Sequence, residues 1–349
     1  MLLFAPECAP AATAGALAAG VRAVAIDSDA IADLTAGVAG FRRPLPRAAD
    51  DTAVILHTSG TTGVPKDAEL THGNLSRNQA VVAGSLLNLE PDDVVMGCLP
   101  LFHVFGMTCG LLAAMSVGAT LALLPRFDPE KALRMIAAER VTIFEGVLTM
   151  YVALLAAADR SDIDVSSLLV CVSGGAAMPV EVLRAFEDRF GCTVLEGYRL
   201  SETSPAVCFN HPGRVRKVGS IATPIDGVQM RIVDEDDNNV PVGSPGEIQV
   251  RGHNVMEGYW NLPDATEAAI KDSWFSTGDI GRVDEDGYCY IVDRKKDASA
   301  EPEELCRFVK SRVAAYKYPR RIWFVDSLPT GPTGKVLRRK VQPLPLAEG

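Results

Sequence analysis

The sequence contains no Cys-x-x-Cys pair. Its eight cysteines, at positions 8, 98, 109, 171, 192, 208, 289 and 306, and its five histidines are dispersed along the chain. That spread excludes a zinc-ligand pattern and a disulfide framework, and it fits a reducing, cytoplasmic compartment. Long apolar runs are also missing. The longest, Gly110 to Leu124, is interrupted by Ser116 and Thr120 and falls short of the roughly 20 residues a membrane helix needs, so it reads as buried core. No basic segment precedes the first apolar residues, so no secretory signal is expected. There are no internal repeats and no low-complexity tract. Positive net charge is lacking too: the balance of −10 argues against a general nucleic-acid binder.

What is present suits a globular enzyme. The 349 residues, 48% apolar and 22% charged, can bury a sizeable core and more than one domain. The charge is unevenly spread: residues 294–349 hold 13 Lys/Arg against 6 Asp/Glu, on an otherwise acidic body. Such a tail is either a solvated face or a basic lid that meets a polyanion.

Short apolar runs alternate with helical stretches. Leu2 to Ala5 and Val21 to Ile26 read as strands around a helix from Ala11 to Ala19, ended by Gly20. Pro44 and Pro46 mark a linker, and a buried strand follows at Thr52 to His57. Helices are predicted over Pro129 to Glu139 and Val180 to Phe190, with strands at Val141 to Phe144 and Leu168 to Val172. From about Val218 the texture changes to short strands and polar turns, which reads as antiparallel β structure of the kind that forms a small barrel. After Asp293 come a helix over Glu303 to Ala315, a strand over Arg321 to Val325 and a basic tail. The fold class is α/β: a layered large domain over 1–293, with a β-rich section, and a reduced C-terminal lid over 294–349.

The chemistry begins at Thr58-Ser59-Gly60-Thr61-Thr62-Gly63-Val64-Pro65-Lys66, directly after a strand. The glycines let several backbone N–H groups converge, the hydroxyls add donors and Lys66 adds a cation. The loop can wrap nucleotide phosphates, yet it lacks the Gly-Lys-Ser/Thr of a Walker A loop. A plain turn rarely concentrates so many hydroxyls, glycines and a lysine.

This run resembles the phosphate loop of the adenylate-forming superfamily, which includes acyl-CoA synthetases. Further motifs similar to that family's follow in order: Leu99 to Gly106, Ser173-Gly174-Gly175-Ala176, Gly197 to Thr203, Ser276 to Asp279, Asp293 to Asp297, and Pro329 to Lys335 with Arg338 behind it. The resemblance covers nearly everything from Asp51 to Lys340, and their joint order is far more specific than any one motif. It implies roles. Glu202 is a hard oxygen ligand for Mg²⁺ on the ATP phosphates. Ser201 donates to the α-phosphate, Tyr198 stacks on adenine and Asp279 grips the ribose hydroxyls. Arg294 pairs with phosphate or ribose oxygens. Lys335 neutralises charge between the incoming carboxylate and the α-phosphate. His103 stands at the acyl pocket and thiol entrance, and Gly174, Gly175 and Ala176 leave room for a substrate chain. Trp260 reads as a packing residue.

The activity implied by the resemblance is ATP-dependent, AMP-forming activation of a carboxylic acid, a medium- or long-chain fatty acid, followed by transfer to coenzyme A. Transfer to a carrier-protein pantetheine is the alternative within enzymes, and a nucleotide-binding remnant without catalysis is the alternative outside them. The implied partners are the acid, ATP and coenzyme A, with no nucleic acid and no transmembrane segment. Four departures from the family pattern bear on this. The chain is shortened before Leu2. Asp67 replaces a glycine and places negative charge near the triphosphate. Arg199 replaces a glycine beside the acyl channel, where bulk and any need for positive φ both count against it. After Asp297 the sequence passes almost at once to Glu303, Tyr316 and Pro319, so the middle of the C-terminal domain is missing.

Overall fold

The computed structural model describes residues 1–37, 40, 43–58, 66–159, 162–175, 178–211, 213–217 and 219–294. They fall into two compact units that part at the proline-bearing linker, Met1–Arg47 and the chain from Ala48. The lid segment from residue 295 onward, with its predicted helix and strand, lies outside the described residues, and the expected boundary at 293/294 falls at their edge.

The first unit holds β1 (Leu2–Phe4), α1 (Ala9–Ala18), β2 (Ala23–Ala25) and α2 (Ser28–Thr35). β1 and β2 pair in parallel, Leu2 opposite Ala23, as the β-α-β reading predicts. Asp27 caps α2 by accepting from the Ala30 N–H at 2.8 Å, satisfying one of the orphan donors of the first turn.

The second unit opens with the hairpin β3 (Thr52–Thr58) and β4 (Lys66–Thr71), then α3 (His72–Val81). Thr71 and Asn74 form a reciprocal cap at the start of α3. Next come β5 (Val94–Gly97), α4 (Ala113–Val117), β6 (Thr120–Leu123), α5 (Pro129–Glu139), β7 (Ile143–Gly146) and α6 (Leu148–Ala158). They continue into β8 (Val170–Ser173), α7 (Val180–Phe190), β9 (Thr193–Arg199), β10 (Ala206–Phe209) and β11 (Thr223–Pro224). Seven of these strands form one sheet in the order β11-β10-β9-β8-β7-β5-β6. The stretch from β9 to β6 is parallel, and β10 and β11 are antiparallel additions.

Side chains on a strand alternate between faces, and this sheet is buried on both. Val95, Ile143, Val172 and Leu195 pack into one core with Phe105 and Ala113. Their neighbours Met96, Phe144, Cys171 and Val194 pack into the other, against Leu133, Tyr151 and Phe186. Two-sided burial explains why these strands read as continuous apolar runs rather than alternating ones. The predicted helices over 129–139 and 180–190 match α5 and α7, whereas β7 and β8 begin two residues later than predicted. Gly110 to Leu124 is buried in part only: its first three residues end a π-helical stretch, Phe105–Leu112, and α4 follows, while Met115 and Leu123 are exposed.

The β-rich section is β12 (Val228–Val233), β13 (Gly246–Gly252), β14 (Gly258–Tyr259), α8 (Pro263–Ala269), β15 (Ile270–Lys271), β16 (Trp274–Val283) and β17 (Cys289–Arg294). It is antiparallel as expected, a five-stranded sheet ordered β12-β13-β16-β15 with β17 on β16. β14 crosses to pair with β4, tying this section to the first hairpin. No helix among the described residues is long and apolar enough to cross a membrane.

Candidate active site

One open cavity of about 970 Å³ gathers the motifs that lie far apart in sequence. Its wall includes Thr58 and Lys66 from the first hairpin, His103, Gly174 and Gly175 after β8, Ser201 and Glu202 after β9, and Asp279 on β16.

The ends of β3 and β4 set the mouth of the phosphate loop. Thr58 and Lys66 are cross-strand partners, and the Thr58 hydroxyl donates to the Lys66 carbonyl at 2.9 Å. Ser59, Gly60, Thr61, Thr62 and Gly63 lie outside the described residues, as does Ala176. The hairpin therefore fixes both ends of the loop, whose chemistry stays as read from sequence. The Lys66 ammonium stands 4.9 Å from the centroid of the Tyr259 ring, and the Tyr259 hydroxyl donates to Glu202 Oε1 at 3.3 Å. Burial raises the Glu202 pKa, with Tyr259 and Lys66 pulling the other way. A part-buried carboxylate with one oxygen already held suits a Mg²⁺ ion taken up together with phosphate oxygens, the way this ion is usually bound. No cluster of three or more acidic, His or Cys side chains able to hold a metal alone occurs among the described residues, which fits such sharing.

Asp279 is almost fully buried, and Oδ2 accepts a 2.6 Å hydrogen bond from the Tyr198 hydroxyl. Tyr198 is itself buried in the core and does not line the cavity, so its placement ties it to Asp279 rather than presenting a ring face for stacking. The tight bend before Asp279 is made by Gly278 at φ 74°, a conformation glycine adopts without cost. Arg294 lies opposite Asp279 across the β16–β17 ladder. His103 sits at the exposed rim, its Nδ1 accepting from the Phe105 N–H at 3.2 Å, and burial and Arg199 lower its pKa. Lys335 lies outside the described residues.

Two departures behave differently from expectation. Asp67 is hydrogen-bonded across the strands to His57, Nδ1 to Oδ1 at 2.5 Å, rather than left without a partner. Arg199 needs no positive φ, because it ends β9 in extended backbone; its bulk, though, is real. The guanidinium reaches over Gly174 and stacks on Phe105, 3.3 Å from the ring centroid. Trp260 is exposed rather than packed. Sequence reasoning missed Tyr259 as the partner of Glu202 and Glu145 as a buried acid near Arg199. The lone acidic residue inside the apolar run of β7 was the available signal for the second.

The AMP-binding enzyme family matches residues 5–260, well over half the chain. The chain belongs to the AMP-binding enzyme family. Among relatives of this AMP-binding protein is a long-chain-fatty-acid–CoA ligase of Bacillus subtilis, 36% identical over 343 residues, which take in 83% of this chain. The chain spans 61% of the length of that relative. A feruloyl-CoA synthase of Amycolatopsis sp is 34% identical over 397 residues, covering 98% of this chain and 78% of the relative. That alignment is longer than the 349-residue chain, so the relative carries stretches with no counterpart here. Among solved structures, ATP-bound MatB from Rhodopseudomonas palustris superposes with a TM-score of 0.78 at 28% identity, covering 97% of this chain and 77% of that one. The fold is the layered α/β adenylate-forming fold.

Proposed function

We propose that this protein activates a carboxylic acid with ATP in an AMP-forming reaction and passes the acyl group to a thiol. A carboxylate oxygen bonds to the α-phosphorus of ATP and pyrophosphate leaves. The thiol sulfur then bonds to the acyl carbon, and AMP leaves with the bonding electron pair. The observation that supports this reading is the convergence on one cavity of Lys66, Glu202 and Asp279, of which the first and last are 213 residues apart (279 − 66). Lys66 balances phosphate charge, Ser201 donates to the α-phosphate and Asp279 holds the ribose. Glu202 is the residue that would hold Mg²⁺, which supplies charge neutralisation on the phosphates. Lys335 is assigned the cation at the reacting oxygens, where developing charge is greatest, and Arg294 a nucleotide contact near the hinge.

Coenzyme A is the favoured thiol, with a carrier-protein pantetheine as the alternative; His103 at the rim stands where either would enter. The relatives differ in the acid their names specify, fatty in one and feruloyl in the other, so they support a carboxylic acid without fixing its chain. Acid-dependent exchange of pyrophosphate into ATP tests the reading. Exchange is expected with the whole chain, and Lys335→Ala is expected to lower it by about 10²–10³ with an unchanged melting temperature. Absence of exchange with every acid tried, despite ATP binding, refutes the ligase reading in favour of a nucleotide-binding remnant.

A further inference from the structure

Arg199 is the least expected side chain in the cavity. Its Nη2 donates to the Ser173 carbonyl at 2.8 Å, and its plane covers Phe105. A Cβ placed on Gly174 would fall 1.3 Å from Nη2 and 1.9 Å from Cζ. Glycine at 174 therefore does not hold a channel open; the guanidinium occupies the space that the missing side chain leaves. An alkyl chain cannot pass Gly174 unless it displaces a cation seated on an aromatic ring.

Charge carries the argument further than bulk. A guanidinium stays protonated in proteins and offers five N–H donors. Arg199 spends one on Ser173, and no carboxylate lies within ion-pair distance of it among the described residues. The acid that faces it, Glu145, is 2% exposed, and burial pushes its pKa up to about 8. At neutral pH Glu145 is mostly uncharged and leaves the cation unopposed. Cys98, Cys109 and Tyr151, which also surround this carboxyl, are driven further from ionisation by burial and bring no counter-charge. Nearby, Ser173 Oγ and Glu145 Oε1 are buried without a hydrogen-bond partner. Buried charges are ordinarily paired, because desolvation without a counter-charge is costly. A cation with spare donors and unpartnered oxygens beside it, on the wall of an open cavity, is a site that a ligand anion completes.

We propose that Arg199 determines acid specificity by binding a second carboxylate at the far end of the substrate, so that the preferred acid is a short dicarboxylate rather than a fatty acid. The inference rests on the ligase reading for the reacting carboxylate only. The second carboxylate would accept from the free edge of the guanidinium, which lines the cavity beside Gly174.

The test pairs acids of equal length, succinate, glutarate and adipate against butyrate, valerate and hexanoate. Each is measured by thermal shift and calorimetric binding in the presence of ATP, and by pyrophosphate exchange. Wild type is expected to favour one diacid over its matched monoacid by at least about tenfold, the size of a lost charge-assisted hydrogen bond. Arg199→Met keeps the bulk without the charge and is expected to abolish that preference. Arg199→Lys is expected to retain part of it, and Arg199→Gly to admit hexanoate and longer monoacids. Equal binding of diacid and monoacid by wild type, or a diacid preference that survives in Arg199→Met, overturns the proposal. Binding that depends on Arg199 with no exchange for any acid would uphold the specificity site while refuting the ligase reading, so the two failures are separable.

Discussion

On the side of the cavity assigned to the nucleotide, Tyr198 donates to Asp279 and Tyr259 to Glu202, so each carboxylate proposed to act there is held by a phenol. On the side assigned to the acid, Glu145 and Ser173 bury oxygens that have no partner, beside a guanidinium with donors to spare. Buried polar groups in folded proteins are nearly all satisfied, and exceptions mark sites where something else completes the bonding. The contrast teaches that one end of the site is pre-formed and the other waits for its substrate. A nucleotide is the same in every turnover, so its contacts can be locked by the fold; an acid must be recognised by groups left open for it.

The largest effect on this contrast should come from its paired end. Asp279→Ala removes the proposed ribose acceptor and takes from the buried Tyr198 hydroxyl the acceptor of its 2.6 Å hydrogen bond. ATP affinity measured by calorimetry is expected to fall about 100-fold, and stability by about 1–3 kcal/mol. Loss of stability without loss of ATP affinity would make Asp279 a packing residue. The open end should reveal itself through pH. The Glu145 pKa is raised to about 8 in the folded protein from 4.5. Between those values the folded state holds a proton that the unfolded state has lost, so stability falls as pH rises through this window and levels off above about 8. The full span is on the order of 5 kcal/mol. Glu145→Gln should flatten this slope in melting curves taken from pH 5 to pH 8; an unchanged slope would assign it to other groups.

Tyr259→Phe sharpens the comparison on a smaller scale. It frees Glu202 from its only phenol donor, and half-saturation by Mg²⁺·ATP is expected to shift by a few-fold, a loss of about 1 kcal/mol. The smallest effect is expected at the departure that looked most harmful. Because Asp67 is hydrogen-bonded to His57 at an exposed position, Asp67→Asn should change ATP affinity by less than about threefold, within the ~0–1 kcal/mol that exposed polar pairs contribute.

Much of this architecture is written locally. Asp128 and Pro129 start α5, and Gly191 in the left-handed conformation stops α7, so both helices could be bounded from sequence. The order of the motifs likewise pointed to one nucleotide site before any contact was visible. What could not be read depends on packing between distant segments. Nothing near Glu202 announces Tyr259, which arrives because β14 pairs with β4 rather than with its sequence neighbours. Asp67 looked like an uncompensated charge because its partner is ten residues away and faces it only through the β3–β4 register. Arg199 was legible as an obstruction, but the berth over Gly174 and the unpartnered acid at 145 emerge only when β7, β8 and β9 lie side by side.

Tyr198 and Arg199 are consecutive residues at the end of β9, and successive side chains on a strand point to opposite sides. One reaches the carboxylate assigned to the ribose; the other reaches the wall assigned to the acid, and they share no hydrogen-bond partner. Descent can therefore act on the two independently: a single codon change at 199 alters which acid is accepted while the nucleotide contacts inherited through 198 stay as they were. A lineage carrying this strand can try new acids one mutation at a time without losing ATP at any step.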